Sequence, residues 1–367
     1  MKGVIWMPRG KGRDMFLGAN TCRGFFSFYS YIISPQEAKR VFILKGGPGV
    51  GKSTFMKRAA ERMLDLGYEV ENMHCSSDSK SLDGIVIPQI GIAMIDGTAP
   101  HMIDPKYPGA VDEIINLGEF WDHSILHKKK QIILEIRKQI SQCYARAYRH
   151  LAAAACIFDD NAALYESGLD EARVNIATAQ WIDEMFDLQK PATKVGSQRC
   201  LFASAITPEG LKNYLDGLMT QENIYMVKGS PWAGTQEVLE SVKTNALIRG
   251  YNVEAYYCAF NPSKLEHIVV PQLNMALTTV NEYHTTDVCT LKEIDFAQML
   301  DPEITANNEG EIEDNRSMFE DILNKAIELM RHAKVLHDEL EAYYIPAMDF
   351  TAVQDKWDMI MERILDI

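Results

Sequence analysis

The chain is short of basic residues. It has 37 Lys and Arg against 51 Asp and Glu, a formal charge of −14. That deficit argues against a general nucleic-acid binder, which would carry a basic face. It leaves room for a small phosphorylated ligand, because a few local donors hold one. The seven cysteines (Cys22, Cys75, Cys143, Cys156, Cys200, Cys258 and Cys289) are odd in number and include no C-x-x-C pair. Their pattern speaks against a disulfide framework or a zinc site and fits a reducing compartment. The opening "MKGVIWMPRGKGRD" lacks the apolar stretch of a secretory leader. No uncharged run approaches the ~20 residues that a bilayer needs. These absences predict a soluble cytoplasmic chain with no membrane partner.

What the chain does have is an internal duplication. At 367 residues it is long enough for two domains. Residues 45–101 align with 228–284 without a gap and with 17 identities in 57 positions, where average composition gives only about three or four. "GYEVENMHC" (67–75) meets "GYNVEAYYC" (250–258), and "LDGIVIPQIGIAM" (82–94) meets "LEHIVVPQLNMAL" (265–277). A long fixed offset signals a duplicated domain rather than a short-period solenoid. Upstream, "IISPQEAK" (32–39) resembles "AITPEGLK" (205–212). Ser34, Pro35 and Glu37 read as a capped helix start, with Thr207-Pro208 as its partial counterpart.

Downstream, Ile125, Ile132, Ile133, Ile136, Ile140, Cys143, Tyr144 and Ala147 recur at helical spacing. Phe319, Ile322, Leu323, Ala326, Met330, Ala333, Leu336 and Leu340 do the same in the second half. The polar segment "QKPATKVGSQ" (189–198) is the expected join, giving domains 1–190 and 191–367. The acid-rich region 301–321 reads as a solvated loop and helix start.

Gly46-x-x-x-x-Gly51-Lys52-Ser53 is the densest chemical signal. A triphosphate needs several backbone N–H donors converging on it, and side chains obstruct that approach. Gly46, Gly47, Gly49 and Gly51, with Pro48 and Val50 between them, leave the backbone open and permit positive φ. The loop follows the apolar run "VFIL" (41–44) and opens the helical stretch "TFMKRAAERMLDLG" (54–67). A helix N-terminus there favours an anion. Lys52 would reach the β- and γ-phosphates. Ser53 would offer its hydroxyl to Mg²⁺, with Thr54 behind it.

This segment resembles the P-loop NTPase superfamily, and the whole chain resembles a bacterial family of duplicated P-loop proteins. The resemblance implies a nucleotide site, Mg²⁺ and a parallel sheet, but not a substrate. The expected fold is α/β, with two tandem P-loop-like domains of three α/β/α layers, each carrying appended long helices.

"IGIAMID" (90–96) is an apolar run ending in Asp96. A carboxylate at the end of a strand beside the loop strand would orient Mg²⁺, so Ser53 and Asp96 form the expected metal pair. Asp78, just past the strand "YEVENMHC", is a candidate to position a water or to accept a proton from an acceptor hydroxyl; otherwise it caps a turn. Glu71 and Glu254 coincide inside strands and read as structural, and so do His101 and His284. Lys128, Lys129, Lys130 and Arg137 could form a basic lid, although a solvated helix face is the simpler reading.

In the second copy "GSPWAGTQE" (229–237) replaces "GGPGVGKST" (46–54). Thr235 stands for Lys52, Gln236 for Ser53, Thr279 for Asp96, Asn261 for Asp78 and Trp232 for Gly49. The retained matches are strand, turn and packing residues. The second copy is expected to keep the fold without the metal–phosphate chemistry. The function expected is therefore an ATP-binding, Mg²⁺-dependent NTPase with one active site, in which Lys52, Asp96 and Asp78 act. Adenine is favoured because no N-K-x-D segment occurs; "NKAIE" (324–328) is the nearest. A small-molecule or nucleotide kinase, with Asp78 at the acceptor, is the alternative. A non-catalytic nucleotide sensor, with the second domain as readout or protein-docking face, is another.

Overall fold

The computed structural model describes residues 8–99, 102–187 and 189–366. The first repeat runs β1 (Gly12–Phe16), β2 (Gly18–Thr21), β3 (Gly24–Ser27), β4 (Arg40–Lys45), α1 (Lys52–Asp65), β5 (Val70–His74), β6 (Leu82–Ile87), β7 (Ile92–Asp96), β8 (Asp112–Asn116), α2 (His123–Lys128), α3 (Lys130–Ser167) and α4 (Glu171–Phe186). The second runs β9 (Gln198–Leu201), β10 (Ser204–Thr207), β11 (Gly210–Asn213), α5 (Leu215–Leu218), β12 (Asn223–Lys228), α6 (Gln236–Ile248), β13 (Val253–Tyr257), β14 (Leu265–Val270), β15 (Met275–Val280), β16 (Lys292–Asp295), α7 (Pro302–Tyr344) and α8 (Phe350–Leu365). The architecture is α/β.

Each repeat builds a six-stranded sheet, β1-β5-β6-β7-β4-β8 and β9-β13-β14-β15-β12-β16. The strand order is the same in both, as a duplication requires. The sheets are mixed, which corrects the parallel sheet expected from the sequence. β1 runs parallel to β5, and β7 and β8 run parallel to β4, but β6 is antiparallel to both β5 and β7. Chain length forces this arrangement. A parallel pair needs a crossover of a dozen or more residues, and only Pro88–Gly91 separate β6 from β7. The hairpin turns on a residue of positive φ, Gly91 at 65° and Asn274 at 47° in the second copy, and Asn is the side chain that tolerates that region.

The upstream match of 32–39 with 205–212 is also corrected. Residues 204–213 form the β10–β11 hairpin, whose true counterpart is β2–β3. The Thr207 hydroxyl donates to the Gly210 carbonyl and accepts from the Glu209 amide; Thr21 does the same with Gly24 and Arg23. The Ser34 hydroxyl accepts from the Glu37 amide, as in a capping box, and donates to the Glu37 carboxylate, yet no helix follows, and 35–37 form an isolated turn.

Two compact units emerge: Met1–Gly18, Ser27–Arg146 and Glu328–Ile367 in one; Ala19–Phe26 and Ala147–Ile327 in the other. They are not the segments 1–190 and 191–367. Each long helix begins in one unit and ends in the other, so α8 belongs with the first sheet and α4 with the second. In the first unit, Phe55, Met56, Ala59 and Met63 of α1 pack with Phe42, Leu44 and Ile85 of the sheet and with Val353, Ile360, Met361 and Ile364 of α8. Ile133, Ile136 and Cys143 of α3 pack there against Ala333, Leu336 and Leu340 of α7. In the second unit, Val238, Leu239 and Val242 of α6 pack with Val174 and Trp181 of α4.

The acid-rich region is helical from Pro302, capped by Asp301, rather than a loop. The helical spacing noted along 125–147 places Ile133, Ile136, Cys143 and Ala147 inside but leaves Ile125 and Ile132 exposed. Lys128, Lys129, Lys130 and Arg137 are exposed on α2 and α3. All seven cysteines are free. Among the described residues no helix is long and apolar enough to cross a membrane.

Candidate functional site

The loop 46–51 joins the central strand β4 to α1. Gly46, Gly49 and Gly51 adopt φ of 148°, 69° and 89°, the left-handed region that suits glycine. A side chain at Gly46 would lie 2.7 Å from Val50 Cγ2. Pro48 is half-buried, Val50 is buried in the α1 core and Thr54 is exposed. α1 starts at Lys52, so the loop ends on a helix N-terminus of fourteen residues, the kind of backbone that holds anions.

Lys52 folds back over the loop. Its ammonium donates to the Gly46 carbonyl at 2.6 Å and the Gly47 carbonyl at 3.0 Å, and lies 3.5 Å from Asp96 Oδ2. Asp96 ends β7, the parallel neighbour of β4, and this register brings it beside the loop. Asp96 Oδ1 accepts from the Thr98 amide at 2.8 Å, and the Thr98 hydroxyl donates to Gly46 O at 2.8 Å. Ser53 Oγ accepts from the Leu82 amide at 3.0 Å. Lys52, Ser53 and Asp96 are thus gathered around one loop.

Asp78 caps its own turn. It accepts from the Lys80 amide at 3.2 Å and the Ser81 hydroxyl at 2.8 Å, with Lys334 of α7 3.6 Å away. The two hydrogen bonds hold it in its own turn, and the ion pair sets it beside α7. Glu71 is buried and pairs with Arg13 at 3.4 Å across β1 and β5; Glu254 pairs with Arg199 at 3.6 Å in the second copy. The structural reading of both glutamates agrees with these repeated pairs. His101 lies outside the described residues.

Nothing in the spacing of residues says what covers the loop. Glu341 Oε1 of α7 accepts from the Gly49 amide at 3.2 Å. Trp121 and Tyr344 flank Gly47, Ile345 lies over Gly49 and Phe350 lies near Gly51. Helical periodicity placed this part of α7 in a core but could not say which loop it meets, nearly 300 residues away in the chain.

The second loop is filled instead of covered. Trp232, at the place of Gly49, is 2% exposed. Its ring meets those of Phe158, Tyr165 and Phe319 at centroid distances of 5.8, 6.3 and 6.3 Å, and Arg316 stacks on it at 5.5 Å. Thr235 and Thr279, at the places of Lys52 and Asp96, are fully buried. Lys264 Nζ donates to Pro231 O at 2.6 Å and pairs with Glu266 at 3.0 Å. His284 completes this buried group, with Nε2 3.1 Å from Ser204 Oγ and Nδ1 3.8 Å from Glu266. His284 is thus buried inside the unit, with its Nε2 beside Ser204 and its Nδ1 without a hydrogen bond.

What fold and site define together is an α/β chain of two six-stranded mixed sheets, with one glycine loop open to backbone donors and one blocked by tryptophan. No family model matches the chain, and neither a curated protein nor a solved structure does.

Proposed function

We propose that the chain is an ATP-binding, Mg²⁺-dependent NTPase of tandem P-loop-like repeats in α/β/α layers, acting in the cytoplasm and hydrolysing ATP at one site in the first repeat. The observation that carries this reading is the Lys52 ammonium held between the Gly46 and Gly47 carbonyls and 3.5 Å from Asp96. A lysine kept over an open glycine loop, with a carboxylate behind it, is the charge arrangement that a polyphosphate and its counter-ion need.

The residues present fit the missing group. The loop's glycines bring no side chains of their own between its backbone donors and a ligand, and α1 adds its N-terminus. Ser53 and Asp96 would hold Mg²⁺, which when bound neutralises charge on the phosphate oxygens. Lys52 would leave its two carbonyls for the phosphates. Gly46, Gly47, Pro48, Gly49, Val50, Gly51 and Thr54 would form the rest of the cradle. Thr98 positions Asp96 and fixes Gly46 through its two hydrogen bonds. The second repeat has neither charge at these places, so it keeps the fold as a scaffold.

Titration with ATP tests this reading. The wild type is expected to bind MgATP and release phosphate, and Lys52→Ala to lose contacts worth about 1.5–3 kcal/mol each. Unchanged affinity in Lys52→Ala would remove the assignment. Incubation with ATP and a pool of small-molecule acceptors separates hydrolysis from phosphoryl transfer. A second reading, a nucleotide sensor of low turnover, is favoured by the Glu341 carboxylate on Gly49; it predicts binding and a conformational change without phosphate release.

A further inference from the structure

We propose that the C-terminal end of α7 is a gate on the 46–51 loop, with the Glu341 carboxylate as its latch. This rests on the nucleotide reading above and names how that site is regulated.

The latch is an anion on an anion's donor. In the nucleotide reading the Gly49 amide is one of the loop's phosphate donors, and Glu341 Oε1 already accepts from it at 3.2 Å. A carboxylate and a phosphate cannot share that N–H, and each repels the other. The glycines that keep the loop open to a ligand are here open to protein. A Cβ on Gly47 would sit 3.2 Å from Trp121 and 3.7 Å from Tyr344; one on Gly49 would sit 3.0 Å from Ile345. A nucleotide therefore enters by moving this cover.

The cover is fastened on both sides of the latch. On one side, the Asp122 amide donates to Ala347 O at 2.7 Å and the Asp349 amide to Phe120 O at 3.0 Å. On the other, Lys334 pairs with Asp78 at 3.6 Å, two helical turns before Glu341. The fastening at Lys334 is an ion pair with a partly exposed partner, the weaker kind of contact. The helix end can release there while the backbone bonds at Ala347 and Asp349 serve as the hinge.

The second repeat supplies an independent comparison. α4 and α8 are capped alike by Asp170 and Asp349. The isolated bridge Leu169–Leu300 matches Trp121–Met348. Counting back from the two caps sets Tyr165 against Tyr344 and Ala162 against Glu341. The tyrosine that packs on the loop is present in both copies. The carboxylate is present only where the loop retains Lys52. A carboxylate kept for packing alone would have no reason to follow the lysine.

Calorimetric titration of the full chain with MgATP tests the gate, using wild type, Glu341→Gln, Glu341→Ala and Lys52→Ala. If the latch holds the loop closed about nine-tenths of the time, both Glu341 variants bind about tenfold tighter than wild type. Amide hydrogen exchange over 334–350 should then rise when MgATP is added to wild type. Glu341→Gln keeps the side-chain shape but loses the negative charge that strengthens the bond to Gly49 and repels a phosphate, so it decides the matter if Glu341→Ala is poorly folded. Equal affinities for wild type and both variants would overturn the latch and leave the nucleotide reading standing. Weaker binding in Glu341→Gln would also overturn it, by making Glu341 a group that supports the ligand. Absence of MgATP binding in wild type and Glu341 variants alike would sink the nucleotide reading, and the gate with it.

Discussion

Lys52 Nζ lies 3.5 Å from Asp96 Oδ2, and the same two places in the second repeat hold Thr235 and Thr279, both fully buried. The duplication has exchanged an ion pair for two neutral hydroxyls without altering the strand order around them. The charges are therefore not what holds the sheet together. In the proposed reading, Asp96→Asn removes the metal's carboxylate and leaves the loop intact. The expected result is a loss of MgATP turnover on the order of 100-fold, with ATP affinity in EDTA changed less than about threefold. Phosphate release and calorimetry measure the two quantities, and equal loss of both would show Asp96 to be a binding residue only.

Restoring the lost charges in the second repeat should damage it. Thr235→Lys puts an ammonium into a fully buried position, with the buried Thr279 where Asp96 stands in the first repeat, at an expected cost of about 3–5 kcal/mol. Adding Thr279→Asp should recover part of that cost as a coupling energy in a double-mutant cycle. The double variant should still bind no second ATP, because Trp232 fills the place of Gly49. Urea unfolding and binding stoichiometry check the two halves of this expectation. A second equivalent of bound ATP would mean that the tryptophan is not the obstruction.

Much of the first site was legible because its chemistry is local. Gly46 to Ser53 must be contiguous for backbone amides to converge, so a single window of sequence contains them. Asp96 was reachable because its strand is apolar and ends on it. Sheet direction was legible too, in hindsight. "PQIG" and "PQLN" between apolar runs are hairpin turns with a residue of positive φ, and it was the resemblance that implied a parallel sheet. The exchange of helices between units was not legible. Periodicity along α3 and α7 gives a buried face but not its partner, and Ala147 and Ala333 look alike whichever sheet lies beneath them. Glu341 was hidden for the same reason, as one acid among many on a long helix.

The exchange predicts that the segment 1–190 is not a self-sufficient domain. α8 covers α1 through Val353, Ile360, Met361 and Ile364, and Trp357 Nε1 donates to Phe55 O at 3.1 Å. Cut at 190, the chain loses that cover and leaves α4 without the α6 side chains it packs on. The fragment is expected to bind a hydrophobic dye and unfold without a sharp transition. In the full chain, Ile360→Ala should cost about 2–5 kcal/mol by opening a cavity under α8. Dye fluorescence and calorimetric unfolding test both; a cooperative fragment with wild-type ATP affinity would show that α8 and the end of α7 are dispensable.

The second unit should weaken in mild acid. Burial pushes the His267 ring down to about 3, and burial likewise lowers His284. His267 faces Thr278, at 2.8 Å from its Nδ1, while Ser204, Glu266 and Lys264 surround His284. Burial alone would raise the Glu266 carboxyl, but the Lys264 ammonium 3.0 Å away holds it below the usual range. The folded unit therefore keeps both imidazoles neutral, whereas the unfolded chain protonates them near pH 6.5. Stability from this source is complete above that pH. It is lost as pH falls below it, and for His267 the loss continues until the folded ring itself titrates. Between pH 6.5 and 5.5 His267 should cost about 1 kcal/mol, and His284 adds to the loss in the same direction. His267→Gln, which carries no titrating ring, should flatten the slope by one histidine's share. Unfolding midpoints measured from pH 7.5 to 5.0 decide this; a flat profile in wild type would mean that the folded rings take up protons at the same pH as the unfolded ones.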